Sequence, residues 1–341
     1  MKICFWFAAS LLIFASFGII YQFIATRLDE NRYPPPGTLV DVGGYQLHMH
    51  STGTGGPTVV LDAGLGAMSS SWGLIQPEIA KFARVVSYDR AGLGWSDQSP
   101  GPRTSAQIVH ELHTLLQKAD IPGPYILVGH SFGGGNAQLF TAAFPEEVAG
   151  LVLVDSCHED QEKRLPSSPI NIWTRAMRSP ILVRLTSLLG IPRFFSDKYM
   201  RIIAPSMPIS LWDIHRVHCV KTLYCHTAST EAATISLSFN QLKMADCSAF
   251  VDKPCTIITA GLAPNLPLLG STDEQKKYLE KVHQVWGSLQ KELVAKFPLS
   301  NQLIAEKSDH MIPWCQPDLV VDAVREMVEK VRKQKGVTVT P

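Results

Sequence analysis

The chain has 341 residues, 45% of them hydrophobic, which is enough for one large α/β domain with an insertion. Its 31 basic and 30 acidic residues are nearly balanced and form no basic stripe, so we expect no nucleic-acid partner. The seven cysteines show no metal-ligand spacing, and Cys219 and Cys225 fit either a disulfide in an oxidising compartment or two buried thiols.

The N-terminal segment from Ile3 to Ala25 contains no charged residue and is long enough, as a helix of ~1.5 Å per residue, to cross a bilayer core. It predicts a single-pass membrane anchor over residues 1–26. A signal peptide that is cleaved before secretion is the alternative, but its apolar region spans only ~7–15 residues and no clear cleavage site follows here. A short N-terminal tail usually stays inside, which would export the rest of the chain, yet Lys2 and Arg27 flank the segment and leave its orientation open.

The next residues predict a linker and then a sheet. Residues 27–37 include three consecutive prolines and predict a stiff, extended linker. Residues 38–53 alternate in hydrophobicity around Gly43-Gly44 and predict an antiparallel hairpin at a sheet edge. Strands then alternate with helices, which is typical of a mostly parallel sheet with helices on both faces. The strands are Thr58–Leu61, Val85–Tyr88, Tyr125–Val128 and Leu151–Val154, and the helices are Trp72–Phe82, Thr104–Lys118 and Gly134–Phe144.

The strand pattern stops after Asp155 and returns at Cys255. Residues 156–253 contain helical stretches, several prolines and large apolar side chains, and they predict a helical cap over the carboxyl end of the sheet. The α/β core therefore occupies residues 38–155 and 254–341. Its second part is expected to contain the strands Cys255–Ala260 and Gln302–Glu306 and the helices Glu274–Phe297 and Asp318–Arg332.

A G-x-S-x-G pentapeptide, Gly129-His130-Ser131-Phe132-Gly133, lies between a predicted strand and a predicted helix. This context is that of a nucleophile elbow. A strained backbone at Ser131 is tolerated because Gly129 and Gly133 leave room on either side. The turn would present the Ser131 hydroxyl at the carboxyl end of the sheet, and it favours a nucleophile over a chance match in a loop.

Three motifs make the chain resemble the cap-bearing branch of the α/β-hydrolase fold family: the elbow, Asp62-Ala63-Gly64-Leu65-Gly66, and the run from Asp89 to Ser96. The resemblance implies a serine hydrolase whose residues follow in the order Ser, acid, His. His310 fits the base, because it lies between the last predicted strand and the last predicted helix. The resemblance also implies that the backbone N–H groups of Leu65 and Phe132 form the oxyanion hole.

The acid is assigned from a gap in the sequence. Many relatives place it after the strand that follows the cap, but residues 261–271 contain no Asp or Glu. Asp155 directly follows the preceding strand, 24 residues after Ser131, and would emerge beside that serine. A purely structural role for Asp155, or an acid at Glu159 or Asp160, is the alternative.

These residues predict a membrane-anchored serine hydrolase that cleaves a carboxylic ester through an acyl-enzyme, with a small-molecule ester or acyl substrate and membrane lipid as its partners. A cap rich in Trp, Phe and Met favours a lipophilic acyl group, although packing of the cap against itself explains the same residues. Serine chemistry requires no cofactor and no metal. His215, His218 and His226 match no zinc pattern and indicate a polar cap surface.

Two other functions fit parts of the sequence. An aminopeptidase-like or amidase-like hydrolase would need clustered acids in the cap to bind a free amine, and Asp197, Asp213 and Glu231 are scattered in sequence. A non-catalytic binding protein on a hydrolase scaffold is compatible with the fold. The presence of all three catalytic residue types in the expected order favours an enzyme.

Overall fold

The computed structural model describes residues 2–167, 176–204, 206–264 and 272–334. Within these residues, eight strands form the central sheet: β1 (Thr38–Asp41), β2 (Gln46–Thr52), β3 (Thr58–Asp62), β4 (Val85–Tyr88), β5 (Tyr125–His130), β6 (Val148–Val154), β7 (Cys255–Ala260) and β8 (Ser300–Ala305). Their order is β1-β2-β4-β3-β5-β6-β7-β8. β2 is antiparallel to both neighbours, and all other pairs are parallel. The predicted edge hairpin and the mostly parallel sheet are confirmed.

The α-helices of the described residues are, in chain order, α1 (Lys2–Arg32), α2 (Gln76–Ile79), α3 (Ser105–Lys118), α4 (Phe132–Ala143), α5 (Gln161–Arg164), α6 (Pro180–Leu188), α7 (Ile191–Phe194), α8 (Ser196–Ile203), α9 (Ile209–Cys219), α10 (Thr222–Ala233), α11 (Ile235–Lys243), α12 (Asp273–Lys296), α13 (Ile312–Cys315) and α14 (Pro317–Gln334). Short 3₁₀ helices lie at Ser69–Trp72, Pro145–Glu147 and Cys247–Phe250.

An apolar core lies on each face of the sheet. Successive strand residues point to opposite faces, so Val128 and Val152 pack with α2 and α14, whereas Leu127 and Leu151 pack with α3, α4 and α12. Both faces of β5 and β6 are therefore buried. This double burial explains why these strands read as continuous apolar runs in the sequence.

The helix α1 contains the one span, Phe5–Arg32, that is long and apolar enough to cross a membrane among the described residues. A signal sequence near an N-terminus passes the same test of length and composition. The helix continues through Arg32, so residues 27–32, which the sequence analysis assigns to the linker, are helical. No Gly or Pro occurs between Ala25 and Pro34, and nothing in the chain stops the helix before the prolines.

The helices α5–α11 lie between β6 and β7, and no strand interrupts them in the part of the insertion that the structure describes. The helix α9 packs against the 3₁₀ helix Ser69–Trp72, which follows β3, and α11 packs against α3 and α4. The insertion thus contacts loops and helices at the carboxyl end of the sheet. The division of the chain at residues 26, 37, 155 and 253 stays a prediction.

The predicted helix Trp72–Phe82 is wrong in extent. The structure has the 3₁₀ helix Ser69–Trp72 and then the single turn α2. Pro77 lacks an N–H donor and is tolerated only in the first turn of a helix, so a helix through this region cannot begin as early as Trp72.

Candidate active site

The backbone at Ser131 adopts a strained conformation between β5 and α4, with φ of 54° and ψ of −117°. A Cβ atom at Gly129 would collide with the backbone oxygen of Gly133, and one at Gly133 would collide with the backbone oxygen of Asp62. Only glycine fits at these two positions, because the chain passes so close to itself. The sharp turn therefore depends on both glycines of the pentapeptide.

Ser131 and Asp155 are neighbours because their strands are neighbours. His130 of β5 pairs with Val154 of β6, and the next residue of each strand is the serine and the aspartate. The N–H of Ser131 donates to the Val154 carbonyl over 3.0 Å, and the N–H of Asp155 donates to the Ile258 carbonyl over 2.7 Å. Asp155 also has a positive φ, 42°, which turns it out of the line of β6.

His310 connects the two residues. Its Nε2 lies 2.9 Å from Ser131 Oγ, and its Nδ1 lies 2.6 Å from Asp155 Oδ2. The second oxygen of Asp155 accepts a hydrogen bond from the N–H of Ala260 over 2.9 Å. The structure thus brings together the three side chains that the sequence analysis singles out. With Nδ1–H donated to the carboxylate, Nε2 is free to accept the serine proton.

The electrostatics of this pair suit a proton acceptor. Burial alone would raise the pKa of Asp155, but its hydrogen bond and charge interaction with His310 outweigh burial and hold the pKa below its ordinary value. Burial lowers the pKa of His310, and the hydrogen bond and charge of Asp155 more than reverse this, so the pKa of His310 is raised. Asp155 therefore stays ionised, and it stabilises a positive charge on the imidazole.

His130 holds the loop that carries His310. Its Nε2–H donates to the backbone oxygen of His310 over 2.8 Å. Burial, and then the proximity of His310, lower the pKa of His130 to about 3, so it is neutral in any physiological medium. His130 is therefore a positioning residue, because it acts on the site through the backbone of His310.

The alternative acids make contacts elsewhere. Asp160 pairs with Lys243 over 2.8 Å, and Glu159 lies 3.2 Å from the ammonium group of Lys296. Asp309, the sequence neighbour of the histidine, accepts a hydrogen bond from the N–H of Met311 over 3.0 Å. Among these carboxylates, Asp155 is the one within hydrogen-bond reach of His310 Nδ1.

The two residues assigned to the oxyanion hole flank the serine. Phe132 is the first residue of α4, directly after Ser131, and it is buried. Leu65 lies in the loop after β3, and its side chain lines the same cavity as Ser131. An N–H at the start of a helix also benefits from the positive end of the helix dipole. The placement of both residues fits the predicted hole, and their role stays a prediction.

A buried ion cluster fixes the loop that carries Leu65. Arg90 donates to the backbone oxygens of Ala63 and Gly64 over 2.7 and 2.6 Å, and it pairs with Asp62 and Glu231. Glu231, from the cap helix α10, also accepts a hydrogen bond from the N–H of Gly66 over 2.8 Å. Burial disfavours the charge of Arg90, but the two carboxylates outweigh burial and raise its pKa.

The sequence analysis missed this cluster. It includes Arg90 only in the run from Asp89 to Ser96, and it treats Glu231 as one of several scattered acids of the cap. The structure instead joins Arg90 to Glu231 across 141 positions of sequence, and both side chains are buried. No local pattern marks such a pair, because buried ionic partners are chosen by the tertiary fold.

The Ser131 hydroxyl opens into a cavity of about 410 Å³, a common size for a small-molecule site. His310 and Leu65 belong to its core wall, and the cap supplies the opposite wall. The cap residues are mostly apolar and comprise Met177, Met200, Ala204, Met207, His215, Cys219, Tyr224, Ala228, Ser229 and Ala232. A cavity of this composition favours an apolar group beside the serine.

Comparison with known proteins agrees with this architecture. Residues 57–199 match the family model of the α/β hydrolase fold. A solved structure of a thermophilic esterase from Thermogutta terrifontis superposes with a TM-score of 0.59 at 21% identity, covering 86% of this chain and 98% of that one. The chain therefore has the α/β-hydrolase fold.

Curated relatives of this chain include larger proteins. This chain is 37% identical over 115 residues to an uncharacterized protein of Bacillus subtilis, and the alignment covers 33% of this chain and 46% of that protein. This chain is also 24% identical over 323 residues to a Hormonema carpetanum protein named "Probable transporter", and that alignment covers 88% of this chain and 44% of that protein. The chain thus spans less than half the length of these two relatives.

The cap histidines do not form the polar surface that the sequence analysis expects. His215 and His218 are buried, because α9 packs them against the core, and the ring of His218 lies 4.5 Å from that of Trp95. His226 contacts the backbone oxygen of Pro180 instead. Within the described residues, no group of three or more His, Cys, Asp or Glu side chains could hold a metal ion.

The cysteine pair of the cap is reduced in the structure. Cys219 and Cys225 are buried free thiols, and the Cys225 thiol donates to the backbone oxygen of Cys219 over 3.1 Å. Burial raises the pKa of both thiols to about 12, so neither is a reactive thiolate. The sequence allowed either a disulfide or two buried thiols at Cys219 and Cys225, and the structure has the two buried thiols.

Proposed function

We propose that the protein is a membrane-anchored serine hydrolase that cleaves a carboxylic ester of a lipophilic acyl group. The observation that carries the proposal is the hydrogen-bonded series from Asp155 through His310 to Ser131, which ends at an apolar cavity. Each contact lies within hydrogen-bond reach, which is the geometric requirement for a nucleophile, its base and the group that orients the base.

In the first half-reaction, Ser131 Oγ attacks the ester carbonyl carbon while His310 Nε2 takes the hydroxyl proton. The carbonyl oxygen becomes an oxyanion, and the N–H groups of Leu65 and Phe132 stabilise it. The tetrahedral intermediate collapses when the C–O bond to the alcohol breaks, and His310 returns the proton to the leaving oxygen. The products are the free alcohol and an acyl group bound to Ser131 Oγ.

In the second half-reaction, a water molecule gives a proton to His310 Nε2 and attacks the acyl carbon. Collapse of the second intermediate breaks the bond to Ser131 Oγ, which recovers its proton from His310, and the carboxylic acid leaves. Asp155 remains ionised throughout. Its role is to keep His310 in the Nδ1–H tautomer and to stabilise the imidazolium form.

The engagement of Glu231 favours an ester over an aminopeptidase substrate. A free amine would need an available carboxylate in the cap, but the Glu231 oxygens accept hydrogen bonds from Arg90 and from the N–H of Gly66. Asp197 and Asp213 both lie close to Arg216, at 3.8 and 3.7 Å. Glu231 is therefore committed to guanidinium and backbone partners, and Asp197 and Asp213 are exposed residues outside the lining of the catalytic cavity.

A fluorophosphonate probe and paired substrates test the reaction class. We expect the probe to label the wild-type protein at Ser131, and we expect hydrolysis of methylumbelliferyl butyrate to exceed that of the matching butyryl amide. A protein that neither reacts with the probe nor turns over either substrate would be a binding protein on this scaffold. Faster cleavage of the amide would instead support the amidase function.

The anchor is tested separately from the chemistry. The helix α1 supports a membrane-spanning anchor by its length and by the absence of charge from Ile3 to Ala25. We expect carbonate extraction to leave the protein in the membrane pellet, with Met1 present by mass spectrometry. A soluble form that begins near Arg27 would identify a cleaved signal peptide.

Glu231 is expected to position the oxyanion loop. Glu231→Ala leaves Arg90 buried without this partner, so we expect the free energy of unfolding to fall by about 3–5 kcal/mol. Glu231→Gln keeps the size and one acceptor oxygen, and we expect it to fold but to lower kcat by ~10-fold or more with little change in KM, because the loop is displaced. Calorimetry and steady-state kinetics measure the two effects.

The exposed Glu306 provides the matched control for this prediction. Glu306→Gln also replaces a carboxylate by an amide, but it makes no contact with the loop after β3 that carries Leu65. It should leave both kcat and the free energy of unfolding unchanged. A Glu231→Gln protein with wild-type kcat would show that the contact to Gly66 has no part in catalysis.

A further inference from the structure

Two helices of the cap turn their apolar side chains outward. Ile181 of α6 is 76% exposed and Phe194 of α7 is 78% exposed, whereas Ser187 of α6 is fully buried. This arrangement is the reverse of an ordinary helix on a soluble protein, which buries its apolar side chains. We call the exposed set the cap patch, and it comprises Ile181, Leu182, Leu185, Leu189, Phe194 and Phe195.

The cap patch meets α1 at Leu189. The backbone of Gly18 approaches that of Leu189 so closely that a Cβ atom at Gly18 would lie 2.6 Å from the Leu189 oxygen. The guanidinium of Arg193 donates to Gln22 over 2.8 Å and to Asp29 over 2.5 Å. The position of the cap along α1 is therefore fixed by both backbone packing and an ion pair.

The depth of the patch follows from this contact. Gly18 lies seven residues before Ala25, the last residue of the charge-free segment, which is ~10 Å along a helix. If α1 crosses a bilayer, Leu189 lies at the same level, within the apolar layer. Arg193 meets α1 between Gln22 and Asp29, where a membrane-spanning helix would reach the headgroups.

A groove between α1 and the cap adjoins the catalytic cavity. Its apolar residues are Ile19, Phe23, Leu188 and Leu223, and it also contains the charged side chains of Arg27, Glu30 and Lys221. The groove shares Tyr224 with the wall of the cavity, and the exposed Met177 of the cap lines the cavity as well. An acyl chain from the membrane would therefore approach Ser131 past Tyr224 or Met177.

We propose that the cap patch inserts into the apolar layer just below the headgroups of the membrane that α1 crosses, and that the substrate is an acyl ester dissolved in that membrane. The second part of this inference rests on the proposed function. Exposed basic side chains at Arg184, Lys198 and Arg201 accompany the patch and would face anionic headgroups. Continuity with α1 selects a lipid bilayer as the partner, because one surface presents both.

The position of the patch is measured without reference to activity. The full chain carries a nitroxide label at Phe194→Cys or, as the control, at Leu299→Cys. Cys4→Ser, Cys247→Ser and Cys315→Ser are introduced in both samples, because the other four native cysteines are buried. In phosphatidylcholine–phosphatidylglycerol vesicles, we expect the label at position 194 to be accessible to oxygen and shielded from a water-soluble nickel chelate, and the control label to show the opposite. Equal exposure of both labels to the chelate would overturn the proposal, as would spin–spin coupling between copies at position 194.

The substrate class is measured by a pair of esters. The test variant is Ile181→Ser/Leu185→Ser/Phe194→Ser, which changes the cap patch. The control variant is Leu299→Ser/Ile304→Ser, which changes exposed apolar residues on the surface of the α/β domain, outside the cap. We expect the first variant to hydrolyse methylumbelliferyl oleate in vesicles at least ~10-fold more slowly, with the soluble butyrate ester unaffected, and the second to match wild type on both. If the cap-patch variant hydrolyses the oleate ester as fast as wild type, the substrate assignment is overturned. If the wild type hydrolyses neither ester, the proposed function is overturned, and the membrane position of the cap patch is still decided by the nitroxide label.

Discussion

Ser131→Ala is expected to lower kcat by ~10⁴-fold or more while the protein remains folded. The variant removes the one oxygen that attacks the substrate, and the water that would replace it lacks the fixed position of Oγ between His310 Nε2 and the cavity. Steady-state hydrolysis of methylumbelliferyl butyrate measures the loss. Circular dichroism and the thermal midpoint measure the fold, which loses only one hydrogen bond, worth about 1 kcal/mol.

Ser71→Ala is the matched control, because the cavity contains a second Ser–His contact. Ser71 Oγ lies 3.2 Å from His215 Nε2. However, His215 Nδ1 donates to the backbone oxygen of Leu211 and not to a carboxylate, and burial lowers its pKa to about 4. His215 is therefore a poor base, and Ser71→Ala should stay within a few-fold of wild type. Full activity in Ser131→Ala with loss in Ser71→Ala would assign the nucleophile to the wrong serine.

The part of the site that the sequence could predict depends on local geometry. The elbow needs glycines at 129 and 133 because the chain passes too close to itself there for a Cβ atom, so its spacing is visible in the sequence. The position of Asp155 follows from strand adjacency, since β5 and β6 are parallel neighbours joined by one helix. Motif spacing and connection length are present in a single sequence, and the resemblance to the hydrolase family adds the order of the three residues and the gap after β7.

The remaining features depend on contacts between distant segments. Glu231 meets Arg90 because α10 is packed over the loop after β3, and neither residue has a neighbour in sequence that indicates the pair. His215 is buried for the same reason, although its polarity suggests a surface. The cap patch is the opposite case. Its apolar residues in α6 have the composition of a buried helix face, but the structure leaves them exposed.

The rate of hydrolysis is expected to rise with pH through a midpoint above the ordinary pKa of histidine, which is ~6.5. His310 accepts the Ser131 proton only when it is neutral, and Asp155 raises the pKa of His310 by favouring its charged form. A higher pH is therefore needed to deprotonate it. The pH dependence of kcat/KM measures this midpoint for the free enzyme. A midpoint well below the ordinary value would show that burial outweighs the carboxylate.

Asp155→Asn is expected to cost ~10³–10⁴-fold in kcat with little change in folding. The amide of the variant can donate a hydrogen bond to His310 Nδ1, which places the proton on Nε2 and leaves no acceptor for the serine proton. The loss of the charge also removes the group that raises the pKa of His310, so the midpoint of the residual pH profile should shift downward. A structural role for Asp155 would lower stability without moving this midpoint.

Two aspartates outside the series provide the controls for this prediction. Asp160 pairs with Lys243 on the cap, and Asp273 is almost fully exposed at the start of α12. Asp160→Asn and Asp273→Asn remove the same charge at a distance from the imidazole, so each should stay within a few-fold of wild type in kcat and keep its pH midpoint. If Asp155→Asn behaves like these two while Asp160→Asn or Asp273→Asn loses activity, the acid has been assigned to the wrong strand, because only a carboxylate that contacts Nδ1 can fix the tautomer.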